Sequence, residues 1–485
     1  MKESIVLYPA PGFHHMVAMV GLGKLISLHH PELSITILVS TMPSGLDTAT
    51  TSSYIHQISQ TNIPITFFNL SSNNLPQSLA GNGAAAVFEF IGLNEQNVVD
   101  ALGTISVAST VLALVTSVLH ITSHPHIPTY YYFTSCASTL AFFLHLPTIH
   151  NQTERSFKDL NNTFFHLPGL PPIKASDVPD PVLDRDDPAY HYFLRYAICL
   201  FKSQGIIVNT FEALEPQAIK VITQGACILN NDATPTPAPP IYHIGPLIAD
   251  SKDRAVGFKA SSSDTYTKCL TWLDAQPCRS VVFLSFGRRG AFSEVQLKEM
   301  AMGLERSNHR FLWVVRSTSM SNSEPDLEVL LPKGFMERTK ERGLVVKSWA
   351  PQSDILSHES VGGFVTHCGW NSVVEAVFHG VPMVAWPLYA EQRMNSAVLV
   401  EEMKLAIPVE KVESSSSSSP SSSEEELLVS AEELEKKVRQ LMGSEGQSLV
   451  EKSLGAKAMA MAAWSNGGSS MSSLSKMVDS WQKRH

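Results

Sequence analysis

The sequence predicts an α/β protein built from two halves, each with a mostly parallel sheet. Two series of alternating strands and helices carry this prediction, one from the N-terminus and one that begins at Val281 with the apolar run VVFLSFG. Between them, residues 249–266 are polar and aperiodic, which is typical of a linker. A chain of 485 residues is also too long for one ordinary core. We expect a first domain at 1–248, a second at 267–460, and a C-terminal helix at 461–485 that packs back on the first domain.

The first half opens with a strand, a loop, a helix and a second strand. Residues 4–8 are an apolar run that ends in Pro-Ala-Pro-Gly, and the apolar residues after this loop recur at helix spacing. Residues 34–39 have the composition of the next strand. A strand–helix–strand unit implies parallel strands. Further buried strands are expected at 111–115, 129–133 and 205–209.

The second half repeats this pattern. After the strand at Val281, strands are predicted at 311–315, 344–347, 363–366 and 382–385, with helical patterns between them, such as 293–305. Residues 414–426 are almost all serine and glutamate, so they have no apolar area to bury, and we expect a surface loop there.

Composition and charge exclude several classes of function. The formal net charge is −9, with 36 Lys and Arg against 45 Asp and Glu, and no basic stripe is visible, which argues against a nucleic-acid partner. No apolar stretch approaches the about 20 residues of a membrane-spanning helix, so no stable membrane insertion is expected. The six cysteines are dispersed, and prolines and histidines interrupt the first residues, so no signal peptide is expected. We therefore expect a cytoplasmic protein with reduced thiols.

The densest chemical information lies in residues 349–392. Within them, 363–366 is predicted to be a buried strand, 367–372 the turn after it, and 373–379 a helix that ends at Gly380. Open α/β sheets bind ligands at the carboxyl edge of their strands, and a helix N-terminus attracts phosphate through its unpaired amides. This pattern favours a phosphate-containing ligand.

Side chains at the start of that helix can add to such a site. Asn371 and Ser372 are predicted to cap the helix, and Glu375, one turn further on, can accept hydrogen bonds from ribose hydroxyls. Taken singly, each has a simpler interpretation. Asn and Ser before a helix are usually only caps, Trp349 alone would be a core residue, and His367 alone a satisfied buried histidine. Because they occur in one contiguous stretch, a binding site for a phosphate-containing ligand is favoured over these simpler interpretations.

The stretch WAPQSDILSHESVGGFVTHCGWNSVVEAVFHGVPMVAWPLYAEQ resembles the donor-binding box of plant secondary-product UDP-glycosyltransferases almost throughout. The resemblance extends over nearly the whole chain: the loop at 9–15, PTYYYFTSCAS at 128–138, HIGPL at 243–247, and residues 269–316. FGRRG and the ending LYAEQ are most similar to members that glycosylate flavonoids and chalcones. The resemblance implies the GT-B fold, with two facing Rossmann-like domains and the active site in their cleft. The first half would hold the acceptor and the second the sugar nucleotide.

The same resemblance implies roles for the donor-binding residues. The uracil would be held by Trp349 and Ala350, the ribose by Gln352 and Glu375, the diphosphate by His367, Asn371 and Ser372, and the sugar hydroxyls by Trp370, Glu391 and Gln392, with Arg288 in the FGRRG loop also near the donor. Gln392 and Trp370 accompany glucose in relatives, whereas Arg288 replaces a common serine and could attract a carboxylate. Fixed hydrogen-bond donors can stabilise a leaving diphosphate without a metal. We therefore expect no metal site and no cofactor besides the UDP-glucose donor.

A histidine in the first loop removes the acceptor proton in this family, and the matching residue here is His15. Its ordinary pKa near neutrality suits a general base. Without the resemblance, His14 and His15 would count as loop histidines exposed to water. Relatives support the histidine with an aspartate, but Ser117 stands at that position, and no Asp or Glu occurs between Asp100 and Glu154. The segment that leads to residue 127 is also short, which predicts a truncated helix.

The sequence thus predicts an inverting transferase that moves glucose from UDP-glucose to a phenolic small molecule and forms a β-glucoside. We expect a monomer whose partners are the UDP-sugar and the acceptor. One alternative is a UDP-sugar-binding relative with weak or no transferase activity, because Ser117 cannot supply negative charge. A second is a dinucleotide-dependent oxidoreductase, which is disfavoured because neither half shows GxGxxG after its first strand. The acceptor itself, and the choice between oxygen and carbon glycosylation, stay open.

Overall fold

The computed structural model describes residues 2–42, 48–71, 83–118, 126–160, 163–227, 238–250, 253, 256, 261–316, 324–413 and 427–483. The chain divides into two compact units. The first unit comprises Met1–Gly257, Tyr389–Asn395 and Met459–His485, and the second comprises Phe258–Leu388 and Ser396–Ala458. The serine tract predicted as a surface loop, 414–426, and residues 119–125, where a shortened helix was predicted, lie outside the described residues.

The first unit contains a seven-stranded parallel sheet with the order β3-β2-β1-β4-β5-β8-β9. Its strands are β1 Lys2–Tyr8, β2 Ser34–Val39, β3 Ile65–Asn69, β4 Ser109–Thr116, β5 Thr129–Phe133, β8 Ile206–Val208 and β9 Ile241–His243; β6 Phe164–Phe165 and β7 Ile173–Lys174 form a separate antiparallel pair. The central strands β1, β4 and β5 are almost fully buried, as expected for a sheet covered on both faces.

Helices connect these strands and cover the sheet. They are α1 Phe13–His29, α2 Thr48–Ser59, α3 Gly83–Leu93, α4 Glu95–Ala108, α5 Ala137–Gln152, α6 Pro188–Lys202 and α7 Pro216–Thr223. The C-terminal helix Ser469–Gln482 also belongs to this unit: its Leu474, Met477 and Trp481 are buried in the core around β1 and α1. The indole of Trp481 meets the ring of Tyr130 edge-on at 5.8 Å between centroids.

The second unit contains a six-stranded parallel sheet with the order β12-β11-β10-β13-β14-β15. Its strands are β10 Val281–Ser285, β11 Arg310–Val315, β12 Gly343–Lys347, β13 Val361–Thr366, β14 Met383–Ala385 and β15 Ala406–Pro408, and β16 Val412–Glu413 pairs with β17 Leu427–Leu428. The prediction of parallel α/β halves is therefore confirmed.

Helices α8 to α16 follow one another along the rest of the chain. They are α8 Ser261–Asp274, α9 Glu294–Ser307, α10 Leu327–Leu330, α11 Phe335–Thr339, α12 Gln352–Ser357, α13 Trp370–His379, α14 Gln392–Ala397, α15 Ala431–Met442 and α16 Gln447–Ala463; the C-terminal helix above is α17. Helix α8 begins inside the stretch 249–266 that the sequence marks as a linker. Ser293 caps α9 by accepting a hydrogen bond from the Gln296 N–H, so the polar residue before the apolar pattern marks where the helix starts.

Candidate active site

The first unit contains a cavity of about 260 Å³ at the carboxyl ends of its central strands. Its wall is mostly apolar and includes the rings of Phe88, Tyr132, Phe133, Phe143, Phe193 and Tyr196. These rings contact one another in the stacked and edge-on arrangements that aromatic pairs favour: Phe143 stacks on Phe193 at 5.5 Å, and Phe88 meets Phe193 edge-on at 5.3 Å. The cavity therefore suits a flat, largely apolar molecule.

His15 contributes a titratable side chain to the wall of this cavity, whereas its neighbour His14 is exposed. His15 lies in the first turn of α1, after Gly12, whose φ of 118° an L side chain rarely adopts. Surrounding protein lowers the pKa of His15 to about 4. A helix N-terminus also disfavours a cation, and α1 has no acidic residue in its first turn. The ring is therefore a neutral imidazole at neutral pH.

Ser117, predicted at the position of the missing aspartate, lines the same cavity. Its Oγ accepts a hydrogen bond from the Ala10 N–H at 2.9 Å, and its own N–H donates to the Tyr8 carbonyl at 3.2 Å. The neighbouring Thr116 hydroxyl also donates to the Tyr8 carbonyl, at 3.1 Å. The end of β4 thus holds the loop that leads from β1 into α1.

Glu391 also lines this cavity, in the segment Tyr389–Asn395 of the first unit. The Ser135 hydroxyl donates to Glu391 Oε1 at 3.2 Å, and burial raises the pKa of the Glu391 carboxyl. Asp180 fixes the segment by accepting a hydrogen bond from the Ala390 N–H at 2.6 Å and by pairing with Arg393. The Gln392 side chain is buried, and its Oε1 accepts from the Tyr389 N–H at 3.0 Å.

A buried carboxylate that the sequence did not single out shapes another part of the cavity wall. Glu215 is fully buried and accepts hydrogen bonds from the Ala137 and Ser138 N–H groups, both at 2.9 Å, and from the Ser138 hydroxyl at 2.8 Å. It therefore caps α5, whose N-terminus follows directly after the cavity residues Thr134 and Ser135. The partners are about 80 residues apart in sequence, so only the fold reveals this contact.

In the second unit, the predicted helix start needs a correction. Helix α13 begins at Trp370 rather than residue 373, and Gly369 is its N-cap. Asn371 and Ser372 therefore lie in its first turn and are not caps. The turn is shorter than predicted because Cys368 adopts a positive φ of 63°, which reverses the chain within two residues of Thr366.

The first turn of α12 and the first two turns of α13 bring together three residues that were assigned to the donor site. Gln352 Nε2 donates to Ser372 Oγ at 2.9 Å and to Glu375 Oε2 at 2.7 Å. Glu375 is almost fully buried, and the hydrogen bond from Gln352 orients its carboxylate. Trp349 and Ala350 directly precede α12 and are nearly buried, with Trp349 8% exposed, and Trp370 at the start of α13 is 2% exposed.

His367 is the buried polar group at the end of β13. Two glycines approach its ring so closely that a Cβ on Gly287 would lie 2.6 Å from Nε2, and one on Gly369 would lie 2.5 Å away. Burial, and secondarily the positive charge of Arg316, lower the pKa of His367 to about 4. Within the described part of the chain, His367 Nδ1 has no hydrogen-bond partner. A neutral ring with a free nitrogen can bind a phosphate oxygen through its N–H.

Arg316 is a further cationic residue at this edge that sequence reasoning missed. Its Nη1 donates to the backbone carbonyl of Arg288 at 2.8 Å, and its charge reaches His367. Its place directly after β11 was the available signal, since ligands bind at the carboxyl edge of such strands. Arg316 and the N-terminus of α13 place positive charge at this edge, which favours an anionic ligand.

A metal site and a membrane-spanning helix are both absent from the described residues. They contain no group of three or more His, Cys, Asp or Glu side chains arranged to hold a metal ion. No helix in the described ranges has the length and apolar character needed to cross a bilayer.

Comparison with known proteins identifies the family. A family model described as UDP-glucoronosyl and UDP-glucosyl transferase matches residues 250–421. UDP-glycosyltransferase 88F3 of Pyrus communis is 47% identical, covering 99% of this chain and 100% of the relative. Phloretin 2'-O-glucosyltransferase of the same species is 46% identical at the same coverage. The structure of Phytolacca americana UGT2 complexed with UDP-2fluoro-glucose and pterostilbene has a TM-score of 0.81 and 34% identity, covering 99% of this chain and 100% of that one. The chain therefore belongs to the plant UDP-glycosyltransferases and is an enzyme with their GT-B fold.

Proposed function

We propose that this enzyme transfers glucose from UDP-glucose to a hydroxyl group of a phenolic, flavonoid-type acceptor and inverts the anomeric carbon to give a β-glucoside. The observation that carries the proposal is the aromatic cavity of the first unit, with the neutral imidazole of His15 in its wall. Six rings offer stacking surfaces to a flat acceptor, and a base is present where its hydroxyl can lie.

Acceptor binding rests mainly on the rings, because few polar side chains line the cavity. Thr134, Ser135, Thr139 and Glu391 are the polar side chains that can orient hydroxyl groups, in addition to His15 and Ser117. The relatives support an aromatic acceptor. The Pyrus communis relative is named for phloretin, and the Phytolacca americana structure contains pterostilbene. Both compounds are phenols.

Donor binding is proposed for the second unit and the segment Tyr389–Asn395. The buried cluster of Gln352, Ser372 and Glu375 supports a ribose and phosphate role. His367 and the α13 N-terminus, with Asn371 in its first turn, supply donors to the diphosphate. Trp349 and Ala350 would bind the uracil. We propose that Trp370, Glu391 and Gln392 contact the sugar, with Arg288 at the same edge.

Catalysis in this proposal is a single displacement. His15 takes the proton of the acceptor hydroxyl while its oxygen attacks the anomeric carbon, and UDP leaves from the opposite face, which inverts the configuration. The negative charge that develops on the diphosphate is stabilised by His367 and the amides of α13. Neither a metal nor a cofactor takes part, and we propose that the enzyme acts as a monomer. The six free thiols are consistent with a cytoplasmic location.

A panel of phenolic acceptors incubated with UDP-glucose tests the proposal, with product mass and connectivity as the readout. We expect monoglucosides with a β linkage. UDP-glucose should give a higher kcat/KM than UDP-galactose or UDP-glucuronate, and a higher value for UDP-glucuronate would contradict the donor assignment and implicate Arg288. Products in which the glucose is linked to carbon would show that the acceptor atom is a ring carbon and not a hydroxyl oxygen.

A second function is favoured by one specific observation. Because Ser117 bonds to Ala10 and supplies no negative charge to His15, the chain could bind UDP-sugars with little or no transfer. Binding of UDP measured by calorimetry, together with the absence of product across the whole panel, would establish this alternative. UDP should raise the melting temperature in either case, whereas NAD should not.

A further inference from the structure

The hydroxyl of Ser117 is already engaged in holding the backbone in front of α1. Its Oγ accepts from the Ala10 N–H at 2.9 Å, and its N–H bonds to the Tyr8 carbonyl at 3.2 Å. These two bonds tie both ends of the three residues from Tyr8 to Ala10 to the end of β4. His15 follows this loop after one short turn. The contacts of Ser117 therefore fix where His15 lies.

No carboxylate supports the His15 ring in the part of the chain that the structure describes. No described residue is hydrogen-bonded to that ring, and no Asp or Glu occurs between Asp100 and Glu154. The other titratable groups that line the cavity are Tyr132, Tyr196 and Glu391. Burial holds both tyrosines neutral, because their pKa values are raised, and the Glu391 carboxyl is bonded to the Ser135 hydroxyl.

A base in these surroundings is weak. Once it takes a proton, the imidazolium faces an aromatic, poorly solvated wall and a helix N-terminus, both of which penalise the cation. An aspartate at the end of β4 would offset that penalty, whereas a serine hydroxyl has no charge with which to do so. The lowered pKa of His15 agrees with this geometry. Proton transfer to such a ring is easiest from an acidic hydroxyl group.

We propose that Ser117 is a positioning residue that anchors the His15 loop, and that the cavity consequently selects acceptors by the acidity of their hydroxyl group. The acceptor class is phenols whose hydroxyl is made acidic by electron-withdrawing or conjugated carbonyl groups; electron-rich phenols and alcohols are poor acceptors. This inference rests on the proposed function.

In the glucosyl transfer, the proton of the acceptor hydroxyl goes to the imidazole of His15, and the acceptor oxygen forms its bond to the anomeric carbon. The bond from that carbon to UDP breaks, and its electron pair stays on UDP.

The test measures kcat/KM for a series of para-substituted phenols of similar size at saturating UDP-glucose. The series runs from nitrophenol to methoxyphenol. The pKa values of their hydroxyl groups lie on either side of about 10, the ordinary pKa of a tyrosine side chain. We expect kcat/KM of the wild type to fall steeply, by about tenfold or more, as the acceptor pKa rises across the series.

Two matched variants separate charge from position. Asp and Asn are similar in size, and each can accept the Ala10 N–H, but only Asp adds a negative charge. Ser117→Asp should raise kcat/KM for the least acidic phenols by about tenfold and so flatten the dependence, because the carboxylate stabilises the imidazolium. Ser117→Asn should keep the steep dependence. Melting temperature and UDP affinity check that both variants are folded.

The outcomes are distinguishable. Turnover of the phenols by the wild type with no dependence on acceptor pKa overturns the inference and leaves the proposed function standing. An equally weakened dependence of kcat/KM on acceptor pKa in Ser117→Asp and Ser117→Asn also overturns the inference and leaves the proposed function standing. No turnover of any phenol by a wild-type protein that binds UDP overturns the proposed function, and the inference falls with it. If Ser117→Asp is unfolded, the dependence of the wild-type kcat/KM on acceptor pKa alone decides: a steep fall supports the inference, and no fall overturns it.

Discussion

The first unit offers its ligand aromatic surface with few polar groups, whereas the second offers fixed hydrogen-bond donors at the start of a helix. In the cavity of the first unit, aromatic rings form much of the wall and His15 is the proposed base. In the second unit, Gln352, Ser372 and Glu375 are already bonded to one another, and His367 is held between two glycines. An apolar cavity can adapt to many flat molecules, but a hydrogen-bonded cluster is built for one. The difference fits the proposed roles, in which the first unit binds the acceptor through rings and the second binds the donor through hydrogen bonds.

Removal of the proposed base, His15, should have the largest effect on activity and tests the role of the first unit. His15→Ala should lower kcat/KM by about 10²–10⁴-fold, because proton removal by a positioned base is lost. UDP affinity should not change, since the nucleotide is proposed to bind in the second unit. The exposed neighbour provides the control: His14→Ala should stay within about twofold of the wild type. A His15→Ala protein that retains full turnover would show that another group is the base.

Removal of the buried cap of α5 should weaken the first unit itself. Glu215→Ala leaves the Ala137 and Ser138 donors buried without their acceptor, so the free energy of unfolding should fall by about 3 kcal/mol. The acceptor KM should rise more than the donor KM, because the wall at Ser135 loosens.

Glu212, three residues earlier and exposed, is the control for Glu215. Glu212→Ala should change the unfolding free energy by less than about 0.5 kcal/mol. Equal effects of the two substitutions in denaturant titrations would contradict the capping role.

Disruption of the cluster in the second unit should have the opposite selectivity. Gln352→Ala removes the side chain that bridges Ser372 and Glu375, and we expect UDP to bind about tenfold more weakly, the loss of about one good hydrogen bond. The acceptor KM should stay constant. Calorimetric titration with UDP measures the effect, and Gln447→Ala, on an exposed helix start, serves as the matched control.

The smallest expected change is in the pH profile. The pKa of His15 is lowered to about 4, so the ring stays neutral and able to accept a proton as the pH falls from 7 to 5. kcat/KM should therefore change by less than about twofold over this interval, whereas a base with the ordinary value of about 6.5 would lose most of its activity. A loss centred near pH 6.5 would show that His15 is more solvated than the structure indicates.

Prediction from sequence found the secondary-structure elements on either side of His367, which are contiguous in the chain. The strand, turn and helix around His367 and Ser372 all lie within residues 361–379, so their local pattern was enough to predict a phosphate-binding edge. Even there the helix start was wrong by three residues, because the positive φ of Cys368 leaves no periodic signal. Strands 34–39 and 129–133 were predicted with their observed bounds, since buried parallel strands form continuous apolar runs.

The cavity could not be predicted in the same way. Its wall combines residues from Ala10 to Glu391, and the rings of α6 belong to it only because the sheet brings that helix to the ends of β4 and β5. The cap that Glu215 places on α5 is a contact of the same kind. Such contacts depend on packing between distant segments, and a single sequence contains no spacing that encodes them.

The path of the chain through the two units has a consequence for building hybrid enzymes. The first unit includes Tyr389–Asn395, which lies in sequence between β14 and β15 of the second unit, and the C-terminal helix, so it is not a continuous stretch of sequence. A chimaera joined once, at the polar stretch after residue 249, would place Glu391 and Trp481 of one parent in the acceptor unit of another. Trp481 from one parent would have to pack in the first-unit core of the other parent. Glu391 from one parent would likewise line the cavity of the other parent's first unit. Exchange of the whole first unit between such enzymes therefore requires four crossover points rather than one.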